Sequence, residues 1–166
     1  MKKILSFLII LFILALPSCA ERNIPSCREV LGEIIAAEVG IPAGQVYSLT
    51  APEGDADYPP DSLIAVLYGN GEKPVMAGGW LDVAFFLPSS SHPCELAVFL
   101  CDSEDTAIDT ARMLCCRLDT LRIAKGAEEY AHYLDKANVT VIRNYVLFLV
   151  SSDTENALKV ASKIIK

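Results

Sequence analysis

Two histidines and six cysteines are the residues with the widest chemical range in this sequence. His92 lies between a serine and a proline in a predicted turn. His132 follows Glu128 by four residues, so the two side chains would share one face of a helix and could hold a metal or pair a base with a carboxylate. A zinc site normally takes three or four protein ligands, and these two residues supply only two. A solvated helix face is the better interpretation of the pair.

The cysteine spacing does not match a redox or zinc motif, because the sequence contains no Cys-x-x-Cys pair. Five cysteines follow Cys19, so a monomer with every possible disulfide would still keep one free thiol. On the predicted helix after Ser103, Cys115 falls on the apolar stripe and should be a small core residue, whereas Cys116 falls on the charged face and should be exposed. Spacing leaves the disulfide pattern open among Cys27, Cys94, Cys101, Cys115 and Cys116.

An envelope hydrolase or thiol enzyme is one alternative for the function. A nucleophilic cysteine requires a base or a positive field that stabilises the thiolate, but Cys116 neighbours Asp109 and Asp119 on the predicted helix. Neither the Gly-x-Ser-x-Gly nor the Ser-x-x-Lys element of serine enzymes occurs. The sequence therefore favours a protein without catalytic activity, and we assign no catalytic residue.

The segment from Pro52 to Pro60 is acidic and rich in proline, which predicts a loop. Asp55 and Asp57 lie in this loop and Asp61 follows it, so three carboxylates could meet a cation. An EF-hand would also require the Asp-x-Asp-x-Asp-Gly pattern and a glutamate at position twelve, which are missing. A metal or small-ligand carrier using these aspartates is the second alternative, and we expect no bound cofactor.

The amino terminus has the parts of a bacterial export signal. Lys2 and Lys3 supply positive charge, and the apolar run from Ile4 to Leu16 is too short for a comfortable bilayer span. Residues 1–18 are therefore predicted to be a signal peptide. An ordinary secretory signal and an uncleaved membrane helix are the alternatives.

The end of this run resembles the lipobox of bacterial lipoproteins. Leu16 occupies position −3, Ser18 position −1 and Cys19 the modified cysteine, while Pro17 departs from the pattern at the tolerant position −2. The resemblance implies cleavage before Cys19 and transfer of a diacylglyceryl group, with fatty acids such as palmitate, to its thiol. Two acyl chains anchor a protein firmly. We therefore expect residues 19–25 to be a lipidated tether on the extracytoplasmic face of the cell membrane.

The charge of the mature chain argues against polyanionic partners and, because the sequence shows no local basic patch, against strong adhesion to anionic lipid headgroups. Loss of Lys2 and Lys3 with the leader changes the net charge from −7 to −9. Binding to nucleic-acid phosphates requires clustered lysine and arginine, and the basic residues here are interleaved with acidic ones. We expect no nucleic-acid partner. The expected partners are the membrane, through the lipid, and an unidentified envelope protein or ligand.

Residues 26–166 have the length of a single domain. Ser26 and Glu29 form a capping box that predicts an N-terminal helix ending at Gly40. The segment from Asp61 to Tyr68 fits a short helix or a strand. Hydrophobic alternation predicts two pairs of half-buried strands, each followed by a helix with a serine cap. The strand pairs are 81–87 with 96–100 and 139–142 with 145–150, and a looser helical stretch at 126–135 lies between them.

A weak internal repeat links these two strand pairs. Phe99-Leu100 before Ser103 matches Phe148-Leu149 before Ser152, and the apolar positions of the following helices match after one residue of slippage. The simplest account is a β-β-α unit used twice, and chance similarity between amphipathic segments is the alternative. Two units predict an α+β fold with a mainly antiparallel four-stranded sheet and its helices on one face.

Four segments carry a resemblance to a known family: Glu95-Leu96-Ala97-Val98-Phe99, the aromatic stretch Tyr130…Tyr133, Asn144-Tyr145-Val146-Leu147 and Ser151-Ser152-Asp153. Together they are similar to small lipoproteins of Gram-positive, clostridia-type bacteria that are described only as a domain of unknown function. The resemblance covers roughly residues 26–166. It implies the fold and the anchor and supplies no activity. The sequence therefore predicts a lipid-anchored envelope protein with a non-enzymatic binding or interaction domain.

Overall fold

The computed structural model describes residues 24–38, 40–69, 71–124 and 126–166. The predicted signal peptide and its cleavage motif, Leu16, Ser18 and Cys19, lie outside these residues, as does most of the tether. The described residues form one five-stranded antiparallel sheet and five α-helices. The predicted α+β class is therefore confirmed. The predicted number of four strands is wrong, because an additional strand pairs with the edge of the first predicted hairpin.

The strands lie in the order β1-β2-β3-β5-β4, and every neighbouring pair is antiparallel. The two strand pairs predicted from alternation are β2 with β3 and β4 with β5. The additional strand β1 has no alternating apolar pattern, so hydrophobic periodicity does not reveal it. The bounds are β1 Gly44–Ser48, β2 Trp80–Pro88, β3 Glu95–Cys101, β4 Asn138–Ile142 and β5 Tyr145–Val150.

Side-chain caps set the starts of several helices. The backbone N–H of Glu29 donates to Oγ of Ser26 at 3.1 Å, so the first helix begins at the capping box. The last helix begins one residue later than predicted, because Asp153 rather than Ser152 accepts a hydrogen bond from the backbone N–H of Asn156. The segment that fitted either a helix or a strand is a helix, α2. The α-helices are α1 Cys27–Ala37, α2 Asp61–Tyr68, α3 Glu104–Ile123, α4 Ala131–Leu134 and α5 Thr154–Ile164, and 3-10 turns cover Val75–Gly79 and Ala127–Tyr130.

The sheet is buried on both faces, so the prediction that all helices lie on one face is wrong. Helices α1 and α5 cover one face, and α2 and α3 cover the other. In β3, Leu96 and Val98 pack towards α1 and α5, while Ala97 and Phe99 pack towards α2 and α3. Strands β3 and β5 are apolar and buried at almost every position. Such strands need a layer of helices on each side.

The two β-β-α segments suggested by the internal repeat are present but do not pack alike. Helix α3 follows β2 and β3 and packs across β4 and β5 on one face. Helix α5 follows β4 and β5 and packs against α1 on the opposite face. The repeated order of elements is therefore real, but the two units do not share one arrangement of their helices.

Two residues of the predicted apolar patterns lie at the surface. A bulge between Trp80 and Asp82 takes Leu81 out of the alternating pattern and leaves it 65% exposed. On α3, Cys115 is exposed, so its prediction as a core residue is wrong. Thr110 is buried instead, and its Oγ1 accepts a hydrogen bond from the indole Nε1 of Trp80 at 2.9 Å.

Replacing Thr110 with valine should lower the free energy of unfolding by about 1–3 kcal/mol, because the buried indole N–H of Trp80 would lose its acceptor. Urea unfolding, followed by the fluorescence of this single tryptophan, measures the change. Thr120→Val is the matched control, since the exposed Thr120 hydroxyl donates to the carbonyl of Cys116 in its own helix. The control should change stability by less than about 0.5 kcal/mol. A Thr110→Val variant as stable as the wild type would contradict this role of the hydroxyl.

Candidate functional site

The aspartates proposed for a cation are dispersed in the structure. Asp57 pairs with Arg28 at 2.5 Å and Asp61 pairs with Lys73 at 3.1 Å, while Asp55 is exposed. Among the described residues, no three His, Cys, Asp or Glu side chains come together in a way that could hold a metal ion. Asp57 of the acidic loop and Asp61 at the start of α2 thus each belong to a surface ion pair.

The thiols divide into exposed and buried groups. All five cysteines of the described part are free, with Cys115 and Cys116 exposed on α3 and the other three buried. The exposure of Cys116 agrees with its prediction. Burial raises the pKa of Cys94 to about 12, and the negative charges of Glu38 and Glu95 raise it further. The Cys94 thiol is therefore protonated at neutral pH and is a poor nucleophile.

A pocket of about 380 Å³ opens where the connection between β2 and β3 meets the end of α3. This volume lies near the lower end of the range for small-molecule sites. We call it the Arg117 pocket. Its apolar lining includes Leu87, Pro93, Leu121 and Leu134, and its polar lining includes His92, Glu95, Arg117, Glu129 and Tyr130.

A buried ion pair forms part of the wall of the Arg117 pocket. Nε and Nη2 of Arg117 both donate to Oε2 of Glu95, at 3.1 and 2.8 Å. The Glu95 side chain is 3% exposed and the Arg117 side chain 19%. Strand β3 positions the carboxylate at its first residue, and α3 positions the guanidinium. Removing two charges from water is costly, and their attraction and hydrogen bonds offset this cost.

Several polar atoms of this cluster have no partner. Oε1 of Glu95 and the hydroxyl of Tyr68 are both buried and lie close to each other, but neither makes a hydrogen bond of good geometry with a described residue. Burial raises the pKa of Tyr68 well above its ordinary value, and the charge of Glu95 raises it further, so this hydroxyl stays protonated. Nη1 of Arg117 likewise has no hydrogen bond to another described residue. Because the Arg117 side chain is partly exposed, its remaining N–H groups are available to a ligand.

His92 contributes a second donor at the rim of the pocket. The backbone N–H of Cys94 donates to Nδ1 of His92 at 3.0 Å, which requires a neutral ring with its proton on Nε2. Burial lowers the pKa of His92, and the nearby His132 lowers it further. The His92 ring packs against Tyr130 and Tyr133, with ring centroids 5.0 and 4.8 Å away.

Glu128 and His132 do not share one helix as their spacing predicts. Glu128 belongs to the 3-10 turn Ala127–Tyr130 and His132 belongs to α4, and both are exposed. The His132 ring lies against Tyr133, with centroids 4.3 Å apart. The structure thus places His132 in an aromatic cluster beside the pocket.

The Arg117 pocket therefore presents hydrogen-bond donors without a net positive charge. The donors are the free N–H groups of Arg117 and Nε2–H of His92. Glu95 balances the guanidinium, and Glu129 adds a carboxylate at the rim. This combination suits the oxygen of a carbonyl or hydroxyl group better than a free anion. The apolar walls suit the body of a small organic molecule.

A comparison with protein-family models, curated proteins and solved structures finds no match to this chain. The resemblance to clostridial lipoproteins therefore stays a prediction. Within the part of the chain that the structure describes, no helix has both the length and the apolar character needed to cross a bilayer. Two features of the chain bear on its function: the geometry of the pocket and the residue pattern of the leader.

Sequence reasoning missed Glu95 and Arg117, although each has a signal. Glu95 interrupts an otherwise apolar run over 94–101, and a carboxylate inside a buried strand requires a partner. Arg117 lies about one turn from Leu114 and Leu121 on the apolar stripe of α3. The basic residues of this helix alternate with acidic ones, a pattern typical of a solvated face, and this pattern does not reveal that Arg117 turns inward.

Acidification should loosen the turn before β3. Because folding lowers the pKa of His92 below its ordinary 6.5, the hydrogen bond from the Cys94 N–H is fully present above pH 6.5 and is lost as the pH falls through the folded-state pKa. Hydrogen exchange measured by NMR should show a protection factor for the Cys94 amide that falls on acidification. His92→Phe keeps an aromatic ring without the acceptor and should show low protection at every pH. Constant protection of Cys94 in the wild type would rule out this coupling.

Proposed function

We propose that this chain is an exported lipoprotein whose domain binds a small neutral ligand in the Arg117 pocket and does no chemistry on it. Three segments of the leader support export and lipidation: the charged start at Lys2 and Lys3, the apolar run from Ile4 to Leu16, and the lipobox-like ending from Leu16 to Cys19. One observation carries the binding role. A pocket is built against a buried ion pair, and the arginine of that pair keeps N–H groups that are unpaired among the described residues.

The ion pair supports binding better than it supports stability. Apolar residues of similar volume often replace a buried ion pair with no loss of stability, because the cost of desolvating both charges disappears. The pair at Glu95 and Arg117 lines a pocket that has room for a ligand. Donors held in place before binding lose little conformational entropy when a ligand arrives. A charged pair at this position is therefore useful to a binding site.

The charges around the pocket select the chemistry of the ligand. A carboxylate would be repelled by Glu95 and Glu129, and an ammonium group could not accept the hydrogen bonds that Arg117 and His92 donate. A neutral amide or alcohol avoids both penalties, because its oxygen can accept hydrogen bonds from Arg117 and His92. Its apolar part would contact the walls near Leu121. We therefore expect an uncharged molecule with a carbonyl or hydroxyl oxygen.

Three probes of similar size test this selection: benzamide, benzoate and benzylamine. Each is titrated into ¹⁵N-labelled protein, and the NMR shifts of the Cys94 and Glu95 amides are compared with that of Asn144 at the other end of the sheet. Benzamide should shift the resonances of the two pocket amides and bind with roughly millimolar affinity, about −4 kcal/mol. The two charged probes should bind several-fold more weakly. Equal binding of all three probes would contradict the proposed selectivity.

A pair of arginine variants tests the donors. Arg117→Lys keeps the positive charge beside Glu95 but loses the planar fork of N–H groups, so it should weaken benzamide binding several-fold. Arg112→Lys is the matched control, because the side chain of Arg112 is 74% exposed on the same helix. The control should bind benzamide like the wild type. If Arg117→Lys binds benzamide as tightly as the wild type, the N–H groups of Arg117 do not contribute to binding.

The lipid anchor is tested separately in cells that are supplied with labelled palmitate. The wild-type protein should carry the label, whereas Cys19→Ala should carry none and should appear in the medium. Cys116→Ser is the matched control, since that thiol is exposed and its replacement should change neither the label nor the location. A Cys19→Ala variant that stays on the membrane as before would mean that the leader is not a lipoprotein signal.

A further inference from the structure

A second and larger groove lies at the opposite end of the sheet, where β2 begins, β3 ends and β4 turns into β5. Its volume is about 680 Å³. Ile24 and Leu81 line it and are each 65% exposed, and the bulge at the start of β2 holds Leu81 outward. We call it the end groove. Its further lining includes Arg143, Tyr145, Ile164 and Lys166.

The end groove is lined by two cationic side chains on an acidic protein, and the nearest carboxylates, Asp82 and Glu29, lie behind Tyr145 rather than in its lining. Arg143 and Lys166 line it, and its described lining contains no Asp or Glu side chain. The chain without its leader would carry a net charge of −9. Exposed aliphatic side chains beside cationic ones are the chemistry of a contact with the interface of an anionic bilayer.

Arg143 occupies a backbone position that arginine rarely takes. It lies in the turn between β4 and β5 with a φ of 56°, and no other non-glycine residue of the described part has a positive φ. Glycine or asparagine adopts this conformation with less strain. An arginine here gives up some stability of the turn and places a cation at the end of the sheet.

The chain enters the domain beside the end groove. The hydroxyl of Tyr145 donates to the backbone oxygen of Pro25 at 2.6 Å, which fixes the start of the described chain against β5. Cys19 precedes Ile24 by five residues, and five residues span at most about 18 Å. A lipid on Cys19 would therefore keep the end groove within about 18 Å of the bilayer.

We infer that the end groove lies on the surface of an anionic bilayer, with Ile24 and Leu81 in the interfacial region and Arg143 and Lys166 at lipid phosphates. This inference rests on the proposed lipid anchor. The Arg117 pocket lies at the other end of β3, which has seven residues. At about 3.4 Å per residue, the strand separates the two sites by roughly 20 Å. The pocket therefore opens away from the membrane, where a ligand can reach it.

Dye labels at the two ends of the domain test this orientation. The full lipidated protein, with Cys115 and Cys116 replaced by serine, receives either Leu81→Cys or Ile123→Cys and a nitrobenzoxadiazole dye. Both positions are exposed, at 65% and 85%, and Ile123 lies at the end of α3 near the Arg117 pocket. In vesicles of phosphatidylcholine and phosphatidylglycerol, the label at position 81 should shift its emission to the blue and resist reduction by dithionite. The label at position 123 should do neither.

A second variant tests the contribution of Arg143. Arg143→Gly should raise the melting temperature in detergent, because glycine adopts a positive φ without strain. In the same vesicles, it should reduce several-fold the dithionite protection of the label at position 81. Arg112→Gln, on the exposed face of α3, is the control and should leave that protection unchanged. Full protection in Arg143→Gly would overturn the role of this cation at the bilayer.

Failure of this inference and failure of the anchor give different results. If the protein carries palmitate but the label at position 81 stays in water, the anchor stands and the inference is wrong. If the protein carries no palmitate, the proposed anchor is wrong, and the inference that rests on it is wrong as well. Cross-linking of two copies through position 81 without lipid would assign the end groove to self-association and would also overturn the inference.

Discussion

One buried charge determines how the pocket end of this molecule is organised. Glu95 begins a central strand whose following residues are apolar, so its carboxylate lies at the edge of the core and away from water. Arg117 meets this carboxylate with two hydrogen bonds and thereby ties α3 to the sheet where the pocket opens. The donors of the pocket and the neutralisation of the Arg117 charge by Glu95 follow from this contact.

Features with a local signal could be predicted from the sequence, and features set by long-range pairing could not. Most of the helices and strands could be predicted from two local signals. These are the serine caps at Ser26 and Ser103 and the alternation of apolar residues in the two hairpins. Strand β1 carries no such pattern, because its conformation is set by its pairing with β2. The residues of the pocket are also far apart in the sequence, since His92 precedes β3 and Glu95 begins it, while Arg117 is 22 residues beyond Glu95. Only the stacking of α3 on the sheet brings them together.

The two ends of the sheet have different chemistry. At one end, the Arg117 pocket combines one cationic side chain with two carboxylates and has apolar walls. At the other end, Leu81 is exposed beside Arg143, and the backbone N–H of Cys27 donates to the buried carboxylate of Asp82 at 2.7 Å. This contact places a negative charge at the N-terminus of α1, where it is favourable, and fixes the first helix to the sheet. The two ends therefore match the two roles that we propose, a contact with the membrane at one end and binding of a ligand at the other.

The most direct measurement combines stability and binding in one double variant, Glu95→Leu with Arg117→Met, in which apolar side chains replace both charges. We predict an unfolding free energy equal to or above that of the wild type, because the desolvation cost of the two charges disappears. We also predict that benzamide no longer shifts the Cys94 amide. Two results would contradict the proposal that this ion pair serves a binding site. One is an unfolding free energy as low as that of Glu95→Leu alone or Arg117→Met alone, and the other is a double variant that still binds benzamide.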